Sequence, residues 1–338
     1  MRTARPAVTA LAAGLAVLVL VPALGGCAGG GEDGAPARRD AANDRPYREH
    51  RVPRGRYHLY ARDYPGEEPA LVLMHGFPDN HRLYDRLVPE LNGRHGRRVI
   101  VFDFLGWGDS DKPQDHTYTF AGQQADVDAV VRYFHLDRVS LVAHDAAGPG
   151  ATNWALDHPD RTAALTLMNA FYAPAPTLRP PALIALLQLG HLDAPILGVD
   201  LAGSLEPLGR EIVGDSDTFR HLFRWQERQF FARRADAEHF IPLFLRQFDG
   251  RDSSRAPLLS LAADAIPAVA ANAGRLDELA AFPRPIRLIW GDRDPDLNTD
   301  IARALHEAVP ASELLVVPEA RHNLQIDEPR RVADLLLG

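Results

Sequence analysis

Val139-Ser140-Leu141-Val142-Ala143-His144-Asp145-Ala146-Ala147-Gly148 is the stretch on which the reading of this chain turns. An apolar run of strand-forming residues leads into small residues packed around one carboxylate, and a helical pattern follows. That is the strand-turn-helix context in which a side chain is presented at the tip of a sharp bend, and it makes Asp145 a candidate nucleophile. An aspartate needs no base to ionise it at neutral pH, and the amide N–H groups of the helix behind it favour its negative charge. A catalytic base is then free to activate water. Attack by a carboxylate on an ester or amide carbonyl gives an uphill mixed anhydride, whereas displacement at saturated carbon gives an ordinary ester. Asp145 therefore points to substrates with a leaving group on sp3 carbon, such as halides and epoxides.

Outward from this stretch, short apolar runs alternate with amphipathic segments of helix length, and no repeat occurs. This predicts an α/β fold with a largely parallel sheet flanked by helices. Strands are expected at 57–60, 70–74, 98–102, 139–143, 164–168, 286–290 and 313–317, and helices at 82–91, 121–134, 150–158, 300–308 and 329–336. Between 171 and 282 the strand rhythm stops and Pro-rich helical sequence takes over, with Phe219, Phe223, Trp225, Phe230, Phe231, Phe240, Phe244 and Phe248 forming an aromatic cluster. That segment is expected to be a helical cap inserted into a core made of 50–170 and 283–338.

Three further segments join Asp145. Trp290-Gly291-Asp292-Arg293-Asp294-Pro295 follows an expected strand, so an acid there falls at the carboxyl edge of the sheet, where open α/β folds build their sites. Asp294 is the expected acid and Asp292 its competitor. Ala320-Arg321-His322-Asn323 follows the last strand and supplies a histidine base. Taken singly, the acidic stretch reads as a turn and the histidine as one of 14, but nucleophile, acid and histidine in this order form a triad arrangement. His75-Gly76-Phe77-Pro78 follows another strand, and its tight turn would let the backbone N–H groups of Phe77 and Ala146 converge as an oxyanion hole. His75 is expected chiefly to hold that turn.

These segments, with Phe102-Asp103-Phe104-Leu105-Gly106-Trp107-Gly108-Asp109-Ser110-Asp111-Lys112-Pro113, resemble the haloalkane dehalogenase and epoxide hydrolase branch of the α/β-hydrolase superfamily from about residue 55 to the end. The resemblance implies an α/β-hydrolase fold with an inserted cap, Asp145 as nucleophile, Asp294 as acid, His322 as base and Phe77 with Ala146 as oxyanion donors. It also exposes departures. Dehalogenases of this kind place a tryptophan after the nucleophile to hold the halide; this chain has Ala146, which leaves Trp225 as the one cap tryptophan. Epoxide hydrolases protonate the opening oxygen with cap tyrosines, and Tyr172 is the one tyrosine there. A haloalkane dehalogenase-like hydrolase is the first expectation, an epoxide hydrolase the alternative, and a ligand-binding protein without catalysis a further one.

At the N-terminus, Arg2 and Arg5 precede an apolar run from Ala7 to Leu24, and then Leu24-Gly25-Gly26-Cys27. Residues 1–26 read as a signal peptide, and Cys27 resembles the lipidated cysteine of a bacterial lipobox. The run barely reaches the roughly 17 residues that a membrane span needs. Residues 27–49, rich in Gly, Ala, Asp and Arg, are expected to be a flexible tether, giving an exported protein anchored in the cell envelope by its lipid. The net charge of −8 and the lack of a basic cluster speak against nucleic acid, so the expected partners are water and a small apolar organic molecule. With a single cysteine, no paired ligand spacing among the histidines and no phosphate-cradling glycine loop, neither metal nor organic cofactor is expected.

Overall fold

The computed structural model describes residues 47–181, 184–185 and 211–338. The expected signal peptide, Cys27 and all but the end of the tether lie outside these residues. Of the residues expected to form the tether, Arg48 and Glu49 belong instead to a strand.

Eight strands form one sheet: β1 (Arg48–Arg54), β2 (Tyr57–Tyr64), β3 (Glu67–Met74), β4 (Arg97–Phe102), β5 (Val139–Asp145), β6 (Thr162–Ala170), β7 (Ile286–Gly291) and β8 (Glu313–Val317). Their order is β1-β2-β4-β3-β5-β6-β7-β8. β1 and β2 run antiparallel at one edge, and every pairing from β4 to β8 is parallel. Ala70–Met74 and Leu141–Asp145 are buried throughout, as strands covered on both faces must be, which is why their sequences read as unbroken apolar runs. The seven expected strands all appear. β1 was not anticipated: its sequence, REHRVPR, buries only Val52 and carries charge along an exposed sheet edge.

α1 (Phe120–Tyr133), α2 (Gly148–Asp157), α7 (Thr299–Ala308) and α9 (Pro329–Leu337) answer four expected helices. The fifth, at 82–91, is instead a 3-10 turn at His81–Tyr84 and a π-helical turn at Pro89–Arg94. Pro89 inside the apolar pattern has no N–H for a continuous α-helix and forces the break. Between Ala170 and Ile286 the described residues contain no strand, only helices: α3 (Ser216–Glu227), α4 (Arg234–Leu245), α5 (Arg255–Asn272) and α6 (Leu276–Ala280). α8 (Leu324–Asp327) follows the His322 loop. The phenylalanines of the aromatic cluster are all buried in this helical region, and Trp225 is not.

Candidate active site

The elbow forms at the end of β5, where Asp145 itself adopts φ 51°. This left-handed conformation is strained for a side chain with a Cβ and points the carboxylate out of the sheet edge. Two glycines make room. A Cβ on Gly76 would lie 2.6 Å from the Asp145 Cβ and 2.7 Å from its Oδ2, and one on Gly148 would lie 2.2 Å from the Phe171 carbonyl oxygen. α2 begins immediately behind, so its N-terminal amides face the carboxylate.

The Phe77 N–H donates to Asp145 Oδ2 at 3.0 Å, and the Ala146 N–H donates to the same carboxylate. The expected oxyanion donors thus converge on the nucleophile's own carboxylate. Burial pushes the Asp145 carboxyl above its ordinary range, while His322 and these two N–H groups pull the other way. His75 holds the turn: the Phe104 N–H donates to its Nε2 at 3.2 Å, leaving Nδ1 protonated and donating to the Gly76 carbonyl at 2.6 Å. Burial keeps it neutral, and it does not reach the cavity.

His322 Nδ1 donates to Asp294 Oδ2 at 2.7 Å, with both side chains buried. The other Asp294 oxygen accepts the N–H groups of Asp296 and Leu297, each at 2.9 Å, which fixes the carboxylate. The competitor Asp292 is exposed. With Nδ1 committed, His322 Nε2 is left for the cavity. Burial opposes its charge, but Asp294, Asp145 and Asp79 outweigh burial and hold its pKa up at about 10. The ring is fixed between Phe230 and His144, each with its centroid 4.6 Å away.

Sequence reading missed the residues that brace this arrangement. Asn169, at the end of β6 with φ 39°, donates through Nδ2 to the carbonyls of Arg321 (2.9 Å) and His322 (3.0 Å), and its Oδ1 accepts the Gly291 N–H at 2.8 Å. His144 Nε2 donates to the His322 carbonyl at 3.0 Å. It also missed three carboxyl groups near His322. Asp79 and Glu227 are buried, each with one oxygen lacking a hydrogen-bond partner among the described residues; burial and the Asp145 charge raise the Asp79 pKa, and burial with the Asp79 and Asp145 charges raises that of Glu227. Asp296 stands on the cavity wall. A polar residue placed singly after a strand or inside a helix carries no local signal that would have found these.

Asp145 and His322 open together into a cavity of about 370 Å³, lined mainly by apolar side chains that include Phe77, Phe120, Phe171, Ile184, Phe230 and Leu297. This is the size and character of a small-molecule site. The two tentative leaving-group contacts are elsewhere. Trp225 is 58 % exposed on the outer side of α3, and the buried Tyr172 donates its hydroxyl to Asn153 Oδ1 at 3.0 Å rather than to the cavity. Away from the cavity, His81, Asp103 and Asp109 come within ligand distance of one another, a grouping the sequence did not suggest. Asp103 is already occupied by the His81 ring and by the N–H groups of His81 and Asp109.

A family model described as the alpha/beta hydrolase fold matches residues 69–329. The putative hydrolase LipZ of Mycobacterium tuberculosis is 25% identical over 285 residues, which covers 83% of this chain and 91% of that one. A haloalkane dehalogenase of Mycolicibacterium paratuberculosis is 28% identical over 307 residues, 88% of this chain and 89% of its own. Among solved structures, the haloalkane dehalogenase DatA from Agrobacterium tumefaciens C58 matches with a TM-score of 0.71 at 22% identity, over 88% of this chain and 97% of that one. The chain belongs to the alpha/beta hydrolase fold family and is an enzyme of that fold.

Proposed function

We propose that the protein hydrolyses small apolar molecules bearing a leaving group on saturated carbon, through a covalent ester on Asp145. One observation carries this reading: the two oxyanion N–H groups donate to the carboxylate of Asp145 itself, at the wall of an apolar cavity that also exposes His322, which is paired with Asp294. In the first step the Asp145 carboxylate attacks the substrate carbon, and the electron pair of the breaking bond departs with the leaving group. In the second, His322 Nε2 takes a proton from water, and the hydroxide attacks the Asp145 carbonyl carbon. The N–H groups of Phe77 and Ala146 hold the oxyanion that forms. Collapse expels the alkoxide, which recovers the proton from His322, and Asp145, left as the carboxylic acid, loses its proton to solvent to regenerate the carboxylate.

The electrostatics suit this order of events. In the resting site the Asp145 charge helps keep His322 protonated. Alkylation removes that charge and weakens the hold of the imidazole on its proton, which favours its loss to solvent before water is activated. Replacing His322 with Gln should permit the first step and stall the second, so a panel of haloalkanes and epoxides should leave substrate mass on Asp145, read by intact mass and peptide mapping. Turnover by His322→Gln at the wild-type rate would overturn the reading. From Arg2, Arg5, the apolar run and Cys27 we further infer export and lipidation at Cys27.

A further inference from the structure

Whatever leaves the substrate carbon must be stabilised by the cavity wall, and that wall is unusual. Among the described residues it contains no tryptophan and no tyrosine. Trp225 lies outside and the Tyr172 hydroxyl is engaged by Asn153. Among the described residues the wall carries, besides Asp145 and His322, three polar side chains, Gln226, Arg179 and Asp296, and the Gln226 amide has no proton it can transfer as an acid. The Arg179 guanidinium is directed to the carbonyls of Pro176 and Leu178. Asp296 is fixed through its backbone, whose N–H is held by Asp294 Oδ1, while its carboxyl receives no hydrogen bond from any described residue. A side chain so placed is free to give or take a proton at a bound molecule.

We propose that Asp296 is the acid of the alkylation step and that the leaving group is therefore the ring oxygen of an epoxide. This rests on Asp145 being the nucleophile. As the Asp145 oxygen bonds to one epoxide carbon, the C–O bond breaks and the oxygen takes the Asp296 proton, so no free alkoxide forms. Water then cleaves the ester as above, the product is a vicinal diol, and the carboxylic acid left on Asp145 returns its proton through solvent to Asp296. The charged groups facing Asp296 are His322, Asp294 on its own loop, Asp145 on the elbow and Glu227 on α3. Burial raises the Asp296 pKa to about 6; His322 opposes the rise, and Asp294 and Asp145 add to it. The acid form is thus available near neutrality.

The test uses the trapping variant His322→Gln in the full chain, with and without Asp296→Asn, mixed with styrene oxide or 1-bromohexane, and mass gain on Asp145 is followed in time. The expected result is that Asp296→Asn slows epoxide alkylation at least ~100-fold more than bromoalkane alkylation. With Asp296 present, the epoxide rate should fall about tenfold per pH unit above the Asp296 pKa, which in this variant lies above 6 because the His322 charge that lowers it is gone. Equal slowing with both reagents, a flat pH profile or reaction with the bromoalkane alone overturns the assignment of Asp296. No mass gain with either reagent overturns the nucleophile and this proposal together. A thermal melt of Asp296→Asn matching the parent's keeps a slow rate from being read as misfolding.

Discussion

Asp145 holds a backbone conformation that costs on the order of 1 to 3 kcal/mol, and the surroundings that enforce it are identifiable. Gly76 is the most exacting of them, since any side chain there meets both the Cβ and the carboxylate of Asp145. Gly76→Ala should destabilise the fold by about 2 kcal/mol and lower turnover far more than the stability loss explains; a urea melt beside an activity assay separates the two. His322 gives a pH prediction whose sign is fixed. Its folded pKa is raised to about 10, so the stability it contributes is complete below the ordinary histidine value and is lost as pH rises through 10. Asp145→Asn removes one of the carboxylates that hold the pKa up. In that variant the decline of Tm with pH should finish lower on the pH scale than in the wild type, and superimposable Tm profiles would contradict the coupling.

Between elements, Asn169 links the ends of β6 and β7 to the loop that carries His322. Asn169→Ala leaves the Gly291 N–H and the Arg321 carbonyl without their partner, leaves the His322 carbonyl to His144 alone, and puts alanine at a positive φ. The expected cost is about 3 kcal/mol, a fall in Tm of roughly 6 to 12 °C, with turnover reduced because the imidazole loop is loosened. Differential scanning calorimetry and steady-state kinetics check both. What could be read from the sequence divides along the same lines. Parallel strands buried on both faces announce themselves as apolar runs, and the three triad residues follow strands in a fixed order, so both were legible. β1 was not, because an edge strand with a single buried residue has no apolar pattern to show. Trp225 could have been placed better: Phe219, Phe223, Gln226 and Glu227 are the buried stripe of α3 at helical spacing, and position 225 lies off it. Asp79, Asn169 and Asp296 were beyond reach, since their surroundings come from segments far away in the chain.

For the molecule as a whole, the acidic balance and the N-terminal pattern carry a prediction of their own. Cys27→Ser should abolish the incorporation of labelled palmitate that the proposed lipidation brings, and metabolic labelling followed by immunoprecipitation checks it. The four tryptophans are divided unevenly: Trp107, Trp154 and Trp290 are sealed in the interior, and Trp225 stands in solvent one residue from Gln226 on the cavity wall. Aqueous iodide should therefore quench one emitter and spare three, leaving the red-shifted component of the fluorescence to Trp225 alone. That single fluorophore is a native optical reporter of α3, able to register the filling and emptying of the cavity beneath it without any attached dye.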